Sequence, residues 1–519
     1  MADGVVQENS WQAVVKSWLE PKVIAMLFLG FSAGMPILLI FSTLSIWLIE
    51  AGVSKGTVTF FSWAALGYSF KFTWAPIVDM FPLPFLTSRL GRRRGWLLFA
   101  QCLVIISIIC MASVDPSVCE RFLTYMAFAA VMLGFSSATQ DIVIDAYRIE
   151  IGDDSLQALL ASMYIAGYRI GMLVAGAGSL FLADFLGTSD VAYNYGSWQL
   201  TYLSMAAVMS IGVITTFIIK EPEYSTTTQK YDYNVAEYIR FLILFVFAVF
   251  AFAVTFFHSG TLLSSSYTYF FGTMVGKSRI IGFCLEVMRF ILALGMAISV
   301  GLTLVKIGLV GKEMVIRSYF NPVKDFFVRY GIKTAFLLLL LVGFYRLSDI
   351  VLGVVANLFY IDMGFSKTVI GGVTKSFGLG MTLAGGFLGG FLTLRYGVNK
   401  ILFLGALLSA ATNILFMLLA AAGPNVPMLA VVIAADNLSG GIATTAFIAF
   451  LSSMTNVSFT AVQYAIFTSI MTLFPKLIGG YSGTVVSNLG YPTFFLITAL
   501  LGIPVLLLVL LIGYLLRER

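Results

Sequence analysis

Charge is scarce in this sequence. Of 519 residues only 11% are Asp, Glu, Lys or Arg, while 59% are hydrophobic; soluble domains carry about 25% charged residues. Mean hydropathy is +0.96. A soluble globule cannot hide that much apolar surface, and a disordered chain is biased the other way. Histidine occurs once, as His258, so a metal site built from several histidines is excluded. The four cysteines, Cys102, Cys110, Cys119 and Cys284, have neither redox nor metal spacing and read as small buried hydrophobes. There is no P-loop, HExxH or dinucleotide fingerprint, which excludes ATP-driven work by this chain. Gly30-Phe31-Ser32-Ala33-Gly34 matches a nucleophile elbow only as letters, because the elbow needs a strand before it and a helix after it. No cofactor is expected.

What the sequence has in abundance is long apolar runs. A spanning helix needs about 20 mostly apolar residues. Fourteen runs qualify, near 23–49, 57–79, 95–114, 121–146, 156–186, 197–220, 238–258, 280–310, 332–361, 368–394, 400–422, 426–454, 460–488 and 491–516. The short alternating segments of a β-barrel are missing. The first run is too long for a signal-peptide core and lacks a small-residue cleavage pattern, so it is expected to remain as the first helix. Basic residues cluster in alternate turns: Arg89 and Arg92 to Arg94, then Lys312, Arg317, Lys324 and Arg329, then Arg395 and Lys400. The positive-inside rule therefore puts both termini in the cytoplasm. The net charge of +6 reflects these loops, not affinity for nucleic acid.

One pattern repeats. Arg89-Leu90-Gly91-Arg92-Arg93-Arg94 and Arg395-Tyr396-Gly397-Val398-Asn399-Lys400 lie 306 residues apart. Each sets a basic residue, a turn glycine and a second basic residue before an apolar run. Two homologous six-helix halves follow, the major facilitator arrangement. Expected boundaries are a cytoplasmic N-terminus (1–22), a first bundle (23–221), a connector with two inserted helices and an amphipathic cytoplasmic segment (222–331), and a second bundle (332–519). Small-residue pairs Gly30/Gly34, Gly167/Gly171, Gly386/Gly390 and Gly479/Gly483 suit close helix packing.

A charge at mid-helix costs about 2.5–3.5 kcal/mol on insertion scales, so it pairs or faces an aqueous cavity. The candidates are Lys71, Asp79, Asp141, Asp145, Arg169, Glu286, Arg289, Arg346, Asp349, Lys375, Asp436 and Lys476. Asp141 and Asp145, four apart, share a helix face and disfavour joint ionisation, which suits proton uptake and release. Asp145 is also read as structural: with Asp79 and Arg92 or Arg93 it can form a latch. Arg169 either neutralises those carboxylates or binds an anionic substrate. Arg346 and Asp349 are spaced to pair with each other, as are Glu286 and Arg289. Lys375 has no local partner and is a candidate for a substrate carboxylate.

Several segments resemble the AmpG family of anhydromuropeptide permeases. They are Lys71-Phe72-Thr73-Trp74-Ala75-Pro76-Ile77-Val78-Asp79 with Gly91-Arg92-Arg93-Arg94-Gly95-Trp96, Ser137-Ala138-Thr139-Gln140-Asp141-Ile142-Val143-Ile144-Asp145-Ala146, Gly167-Tyr168-Arg169-Ile170-Gly171, and Asn437-Leu438-Ser439-Gly440-Gly441-Ile442-Ala443-Thr444-Thr445. The resemblance implies a major facilitator protein that imports N-acetylglucosaminyl-anhydro-N-acetylmuramyl peptides with protons across the bacterial inner membrane. It implies that Gln140, Asp141 and Asp145 lie at the substrate and proton site, and that Asp79 with Arg92, Arg93 and Arg94 forms the cytoplasmic gate; Arg395 is the repeat's counterpart. There are departures. Arg346 stands where relatives often have Lys, Asp436 where they have Glu, and Ala443 where they have Gly. The extra helix pair is inserted centrally instead of following the second half.

The expected fold is thus all-α and polytopic, fourteen helices working by alternating access, with lipid, protons and a sugar-peptide as partners and no oligomer required. Asp141 and Asp145 couple protons. Gln140, Arg169, Arg346, Asp349, Lys375, Asp436 and Asn437 line a substrate cavity. Other cargo, acyl-CoA-like or siderophore-like, is the alternative, followed by a non-transporting membrane enzyme or receptor.

Overall fold

Apolar runs of this length must satisfy every backbone N–H and C=O internally once in a bilayer, and an open strand cannot. The computed structural model is helical accordingly. It describes residues 17–54, 57–58, 61, 68, 70–153, 156–188, 192–223, 234–271, 279–366, 369–479 and 482–517. The elements of the first half are α1 Pro21–Glu50, the short α2 Ala75–Met80, α3 Arg92–Ala112, α4 Glu120–Ile151, α5 Gln157–Phe185 and α6 Tyr195–Ile218. Then come α7 Val235–Phe271 and α8 Arg279–Lys306, α9 Ile332–Asp362, α10 Ile370–Tyr396, α11 Val398–Ala422 and α12 Val426–Met454. The last are α13 Thr460–Gly479 and α14 Val485–Leu516. Among the described residues, 12 helices are long and apolar enough to cross a membrane. The expected span at 460–488 begins as the shorter apolar stretch Val457–Leu473. The expected span at 57–79 lies largely outside the described residues; α2 is its end.

Two compact units emerge, Met1–Thr228 with Phe326–Arg519, and Gln229–Asp325. In the first unit, α1 packs on α5, and α3 on α4 and α6; in its second half α12 packs on α10 and α11, and α11 on α14. The repeated turns are alike in backbone. Gly91 (φ 91°) and Gly397 (φ 87°) each precede a helix in a conformation that a side chain would oppose. Close approach explains the small residues. A Cβ on Gly30 or Gly34 would strike the carbonyls of Tyr164 or Tyr168, and one on Gly167 or Gly171 those of Leu27 or Phe31. A Cβ on Gly390 would run into Ser162 of the other half. Gly483 differs, with no atom of the described residues within 4 Å of where a Cβ would stand.

Aromatic packing fills each half. Trp47 stacks on Trp198 at 5.7 Å within the first core, and Tyr345 on Phe447 at 4.3 Å within the second. Cys102, Cys110 and Cys119 are exposed, which corrects their reading as buried. In a membrane protein the outward surface is itself apolar, so a weakly polar thiol is at home there. In the second unit, α7 packs on α8. Arg289 donates to the Phe256 carbonyl at 2.9 Å and lies over that ring at 4.4 Å. The side chain of Glu286, its expected partner, lies outside the described residues, as does that of Lys476.

Candidate functional site

Polar side chains gather where the two halves of the first unit meet, in layers along α4 and α5. The first layer is at the end bearing the basic turns. Arg93, 1% exposed, sends Nη2 to Asp79 Oδ1 at 2.7 Å and to Thr460 Oγ1 at 2.8 Å, and Nε to Glu150 Oε2 at 3.0 Å. Thr460 in turn donates to Glu150 Oε1 at 2.5 Å. Asp79 accepts the backbone N–H groups of Ala461 (3.3 Å) and Val462 (3.1 Å). A carboxylate thus caps the N-terminus of α13, where the helix dipole and its free N–H groups favour negative charge. Arg92 donates to the Asp79 carbonyl at 2.7 Å. Arg94 stays within its half, on the carbonyls of Thr216 and Phe217. Arg395 lies over the ring of its neighbour Tyr396. Ser162 of α5 bonds to the Gly386 carbonyl of α10. The two halves are therefore tied together at this end.

Glu150, not Asp145, is the α4 carboxylate that joins Asp79 on Arg93. The reason is height: five residues along α4 amount to about 7.5 Å. Asp145 instead lies 3.5 Å from Lys71 and 3.7 Å from Arg148. Arg148 is fully buried, bonding to Gln157 Oε1 (3.1 Å) and, across to the second half, to Ser452 Oγ (2.7 Å). It also lies over the ring of Tyr464, 5.2 Å away.

One turn further, Asp141 is 7% exposed, and its Oδ1 has no hydrogen-bond partner among the described residues. Lys71 and Asp145 are the charges acting on it, and Tyr164 stands beside it. Residues 141, 145 and 148 follow helical spacing and so share a face. Gln140 is turned away from that face. It is fully buried and donates to Ser32 Oγ of α1 at 2.8 Å. In this conformation it ties two helices of one half together.

At mid-depth two arginines enter, one from each half. Arg169 is about 18 Å along α5 and Arg346 about 21 Å along α9 from the ends bearing the basic turns. They come from opposite halves and lie within electrostatic range of each other. Arg169 is surrounded by protein yet solvent-exposed, as a side chain facing a cleft is, and no ion pair holds it among the described residues. Arg346 Nε is 3.2 Å from Asp349, and its Nη1 donates to Thr444 at 2.6 Å. Asp436 accepts from Thr412 at 3.2 Å and lies within range of Asp349 and Arg346. Asn437 accepts from Thr382 at 2.8 Å. Lys375 is exposed in the π-helical start of α10, Ile370–Phe377, and donates to Asn357 Oδ1 at 3.1 Å. Asn357 lies about 16 Å beyond Arg346 along α9. No group of three or more His, Cys, Asp or Glu suited to a metal ion occurs among the described residues.

The structure thus brings Asp141 and Asp145 together with Lys71, and Arg346 together with Asp349 and Asp436. It adds Arg148, Glu150, Thr460, Tyr68, Tyr164, Tyr168 and Tyr464, none of which stood out in the sequence. Glu150 and Arg148 carried a usable signal, being charged near a helix end beside the other carboxylates. The tyrosines carried none in a chain that is 15% aromatic.

Two family models match parts of the chain: that of the Major Facilitator Superfamily over residues 338–519, and that described as acetyl-coenzyme A transporter 1 over residues 22–240. A protein of Rickettsia felis named AmpG 4 is 30% identical over 497 residues, 96% of this chain and 98% of its own. The chain belongs to the AmpG family. A further relative, the anhydromuropeptide permease of Escherichia coli K12, is 29% identical over 95% of this chain and 79% of its own. Among solved structures, the fucose:proton symporter of Escherichia coli aligns with a TM-score of 0.59 at 13% identity, over 96% of this chain and 99% of that one. The proton:xylose symporter XylE aligns at 0.57 and 13%, over 96% and 95%. These two establish the major facilitator fold, and the family membership makes the chain a multi-pass membrane transporter.

Proposed function

We propose that this protein imports N-acetylglucosaminyl-anhydro-N-acetylmuramyl peptides across a bacterial inner membrane, coupled to protons, by alternating access. The observation that carries the reading is Arg169 and Arg346, two cations presented from opposite halves at mid-depth. A cleft that costs so much to charge suits an anionic cargo, and the relative named anhydromuropeptide permease supplies the cargo class. With the basic end cytoplasmic, the closed layer around Arg93 leaves the cleft facing the periplasm.

In this mechanism a peptide carboxylate is drawn past Lys375 to Arg169 and Arg346, competing with Asp349 for the latter. Asn437 and Asp436 hydrogen-bond the amide groups. A periplasmic proton adds to Asp141 at the oxygen that lacks a partner, and Lys71 then stays with Asp145. Opening on the cytoplasmic side breaks the bonds of Thr460, Ala461 and Val462 to Arg93, Glu150 and Asp79 while the pairs within the first half persist. The cytoplasmic termini in this reading follow from the positive-inside rule.

A second reading has one observation in its favour. The acetyl-coenzyme A transporter match over residues 22–240 makes an acyl-CoA-like anion the rival cargo, its phosphates taking the same arginines. The deciding experiment is uptake of labelled anhydromuropeptide into proteoliposomes, with and without an inward proton gradient. Gradient-dependent accumulation is expected. Accumulation of acetyl-CoA but not of anhydromuropeptide would overturn the reading.

A further inference from the structure

Asp141 stands among tyrosines. Tyr68, Tyr164 and Tyr168 of the first half and Tyr464 of the second all lie within its electrostatic range. Tyr164 and Tyr168 are one turn apart on α5, their ring centroids 6.0 Å apart and tilted by 48°. Both are half-buried, as is Tyr68, whereas Tyr464 is closed off at 2% exposure. Tyr68 is held by a hydroxyl–hydroxyl bond to Ser137. The backbone beneath the α5 pair is immobilised as well, since the carbonyls of Tyr164 and Tyr168 sit against Gly30 and Gly34 with no room for a Cβ. Tyr168 has no hydrogen-bond partner among the described residues, so its hydroxyl is available.

This surface differs in kind from the one further along the passage. Arg169 follows Tyr168 directly, Arg346 faces it from α9, and Lys375 lies beyond. Cations select carboxylates. Partly exposed aromatic faces beside a carboxylate select a neutral ring with C–H groups on its face and hydroxyl or N-acetyl N–H donors at its edge, which describes an N-acetylhexosamine. Rings carried on an immobilised backbone lose less freedom on binding than rings on a mobile one. From Tyr164 to Arg169 is about 7.5 Å along the helix, enough for one pyranose between the two chemistries.

We propose that Tyr68, Tyr164 and Tyr168 form a sugar subsite in the first half, distinct from the cationic subsite of Arg169, Arg346 and Lys375, so that the cargo lies with its amino-sugar end on the tyrosines and its peptide carboxylates toward the arginines. This rests on the muropeptide reading and adds the orientation of the cargo. In it, Asp141 accepts a hydrogen bond from the sugar's edge. A sugar hydroxyl or N–H and the coupling proton then meet at the same carboxylate.

The test is competition against labelled anhydromuropeptide on the purified full-length protein, with two probes: N,N′-diacetylchitobiose, which is neutral, and an acidic tripeptide with two free carboxylates. The wild type binds both. Tyr164→Leu and Tyr168→Leu are expected to weaken diacetylchitobiose about tenfold while leaving the tripeptide within about twofold. Arg346→Gln is expected to do the reverse. Tyr168→Trp retains the ring face and is expected to keep disaccharide binding, and retained tripeptide binding shows that each variant is folded. Unchanged disaccharide binding in both leucine variants, or equal weakening of both probes, would overturn the subsite. If the wild type does not bind anhydromuropeptide at all, the transport reading fails and the subsite with it. Binding of the muropeptide with no effect of the tyrosines removes the subsite alone.

Discussion

Thr460→Val isolates the contact between the halves from the pairs within one half. Arg93 remains with Asp79 and Glu150 whether the halves are together or apart, because all three belong to the first half. Thr460 comes from the second half and contributes two hydrogen bonds to charged partners, at 2.8 Å and 2.5 Å. Valine keeps the shape and removes both. Hydrogen bonds to charged groups are worth about 1.5–3 kcal/mol each, but here the charged partners retain each other, so about 1 kcal/mol apiece is the appropriate figure. The loss of about 2 kcal/mol falls only on the conformation closed at the basic end, which shifts its balance against the open one by about 30-fold. Spin labels on cysteines replacing the exposed Ser88 and Ser453, in a chain cleared of native cysteines, would report the change by pulsed electron resonance. A new, longer distance population is expected in Thr460→Val. A distribution identical to that of wild type would refute the assignment of this layer as the state-dependent contact.

Other outcomes follow from the same geometry. Asp141→Asn is expected to abolish accumulation of substrate against a gradient while counterflow exchange persists in part; normal accumulation would remove Asp141 from coupling. Lys375→Gln is expected to raise the KM of uptake several-fold, because the side chain is one of the cations that receive the cargo's carboxylates; an unchanged KM would remove Lys375 from the cationic subsite. Gly34→Val places a branched side chain where no Cβ fits; overpacking typically costs about 1–3 kcal/mol, read as a lower unfolding temperature in detergent, and a Tm equal to wild type would contradict the close α1–α5 approach.

The fold was legible because its signals are long. Twenty-residue apolar runs, glycines before α3 and α11 and small residues at four-residue spacing all act locally, and each has its counterpart in the structure at Gly91, Gly397, Gly30 and Gly167. The site was legible only as residue types. Which carboxylate meets Arg93 depends on the relative height of α3 and α4, a quantity set by packing, and Glu150 outcompeted Asp145 on that ground. Which way Gln140 points depends on the rotation of α4. That helix carries polar residues on several sides, and its sequence favours no face strongly. Arg346 and Asp349 were readable as a pair because three residues of helix place them together whatever the tertiary structure. Tyr164 gave no signal and Tyr168 stood only inside the Gly167–Gly171 segment, because the role proposed for both depends on Asp141 from another helix.

The distribution of charge along the passage also constrains direction. The layer nearest the basic end is balanced by its own pairs, Arg92 and Arg93 against Asp79 and Glu150, and in the next layer Lys71 and Arg148 both pair with Asp145, while Asp141 is in no ion pair among the described residues. The layer around Arg93 can close and exclude water, because each of its charges keeps a partner when the solvent leaves. Arg169 and Lys375 are different. Neither is held by a carboxylate among the described residues, so burying either costs the full desolvation of a lone cation. A cleft lined by these two cannot shut dry while empty. On the function proposed above, an anion from the cargo supplies what is missing, so closure on the Lys375 side is favoured with cargo bound and opposed without it. That asymmetry is what a carrier needs in order not to cycle empty. It arises from which cations the fold leaves unpaired, with no further device required.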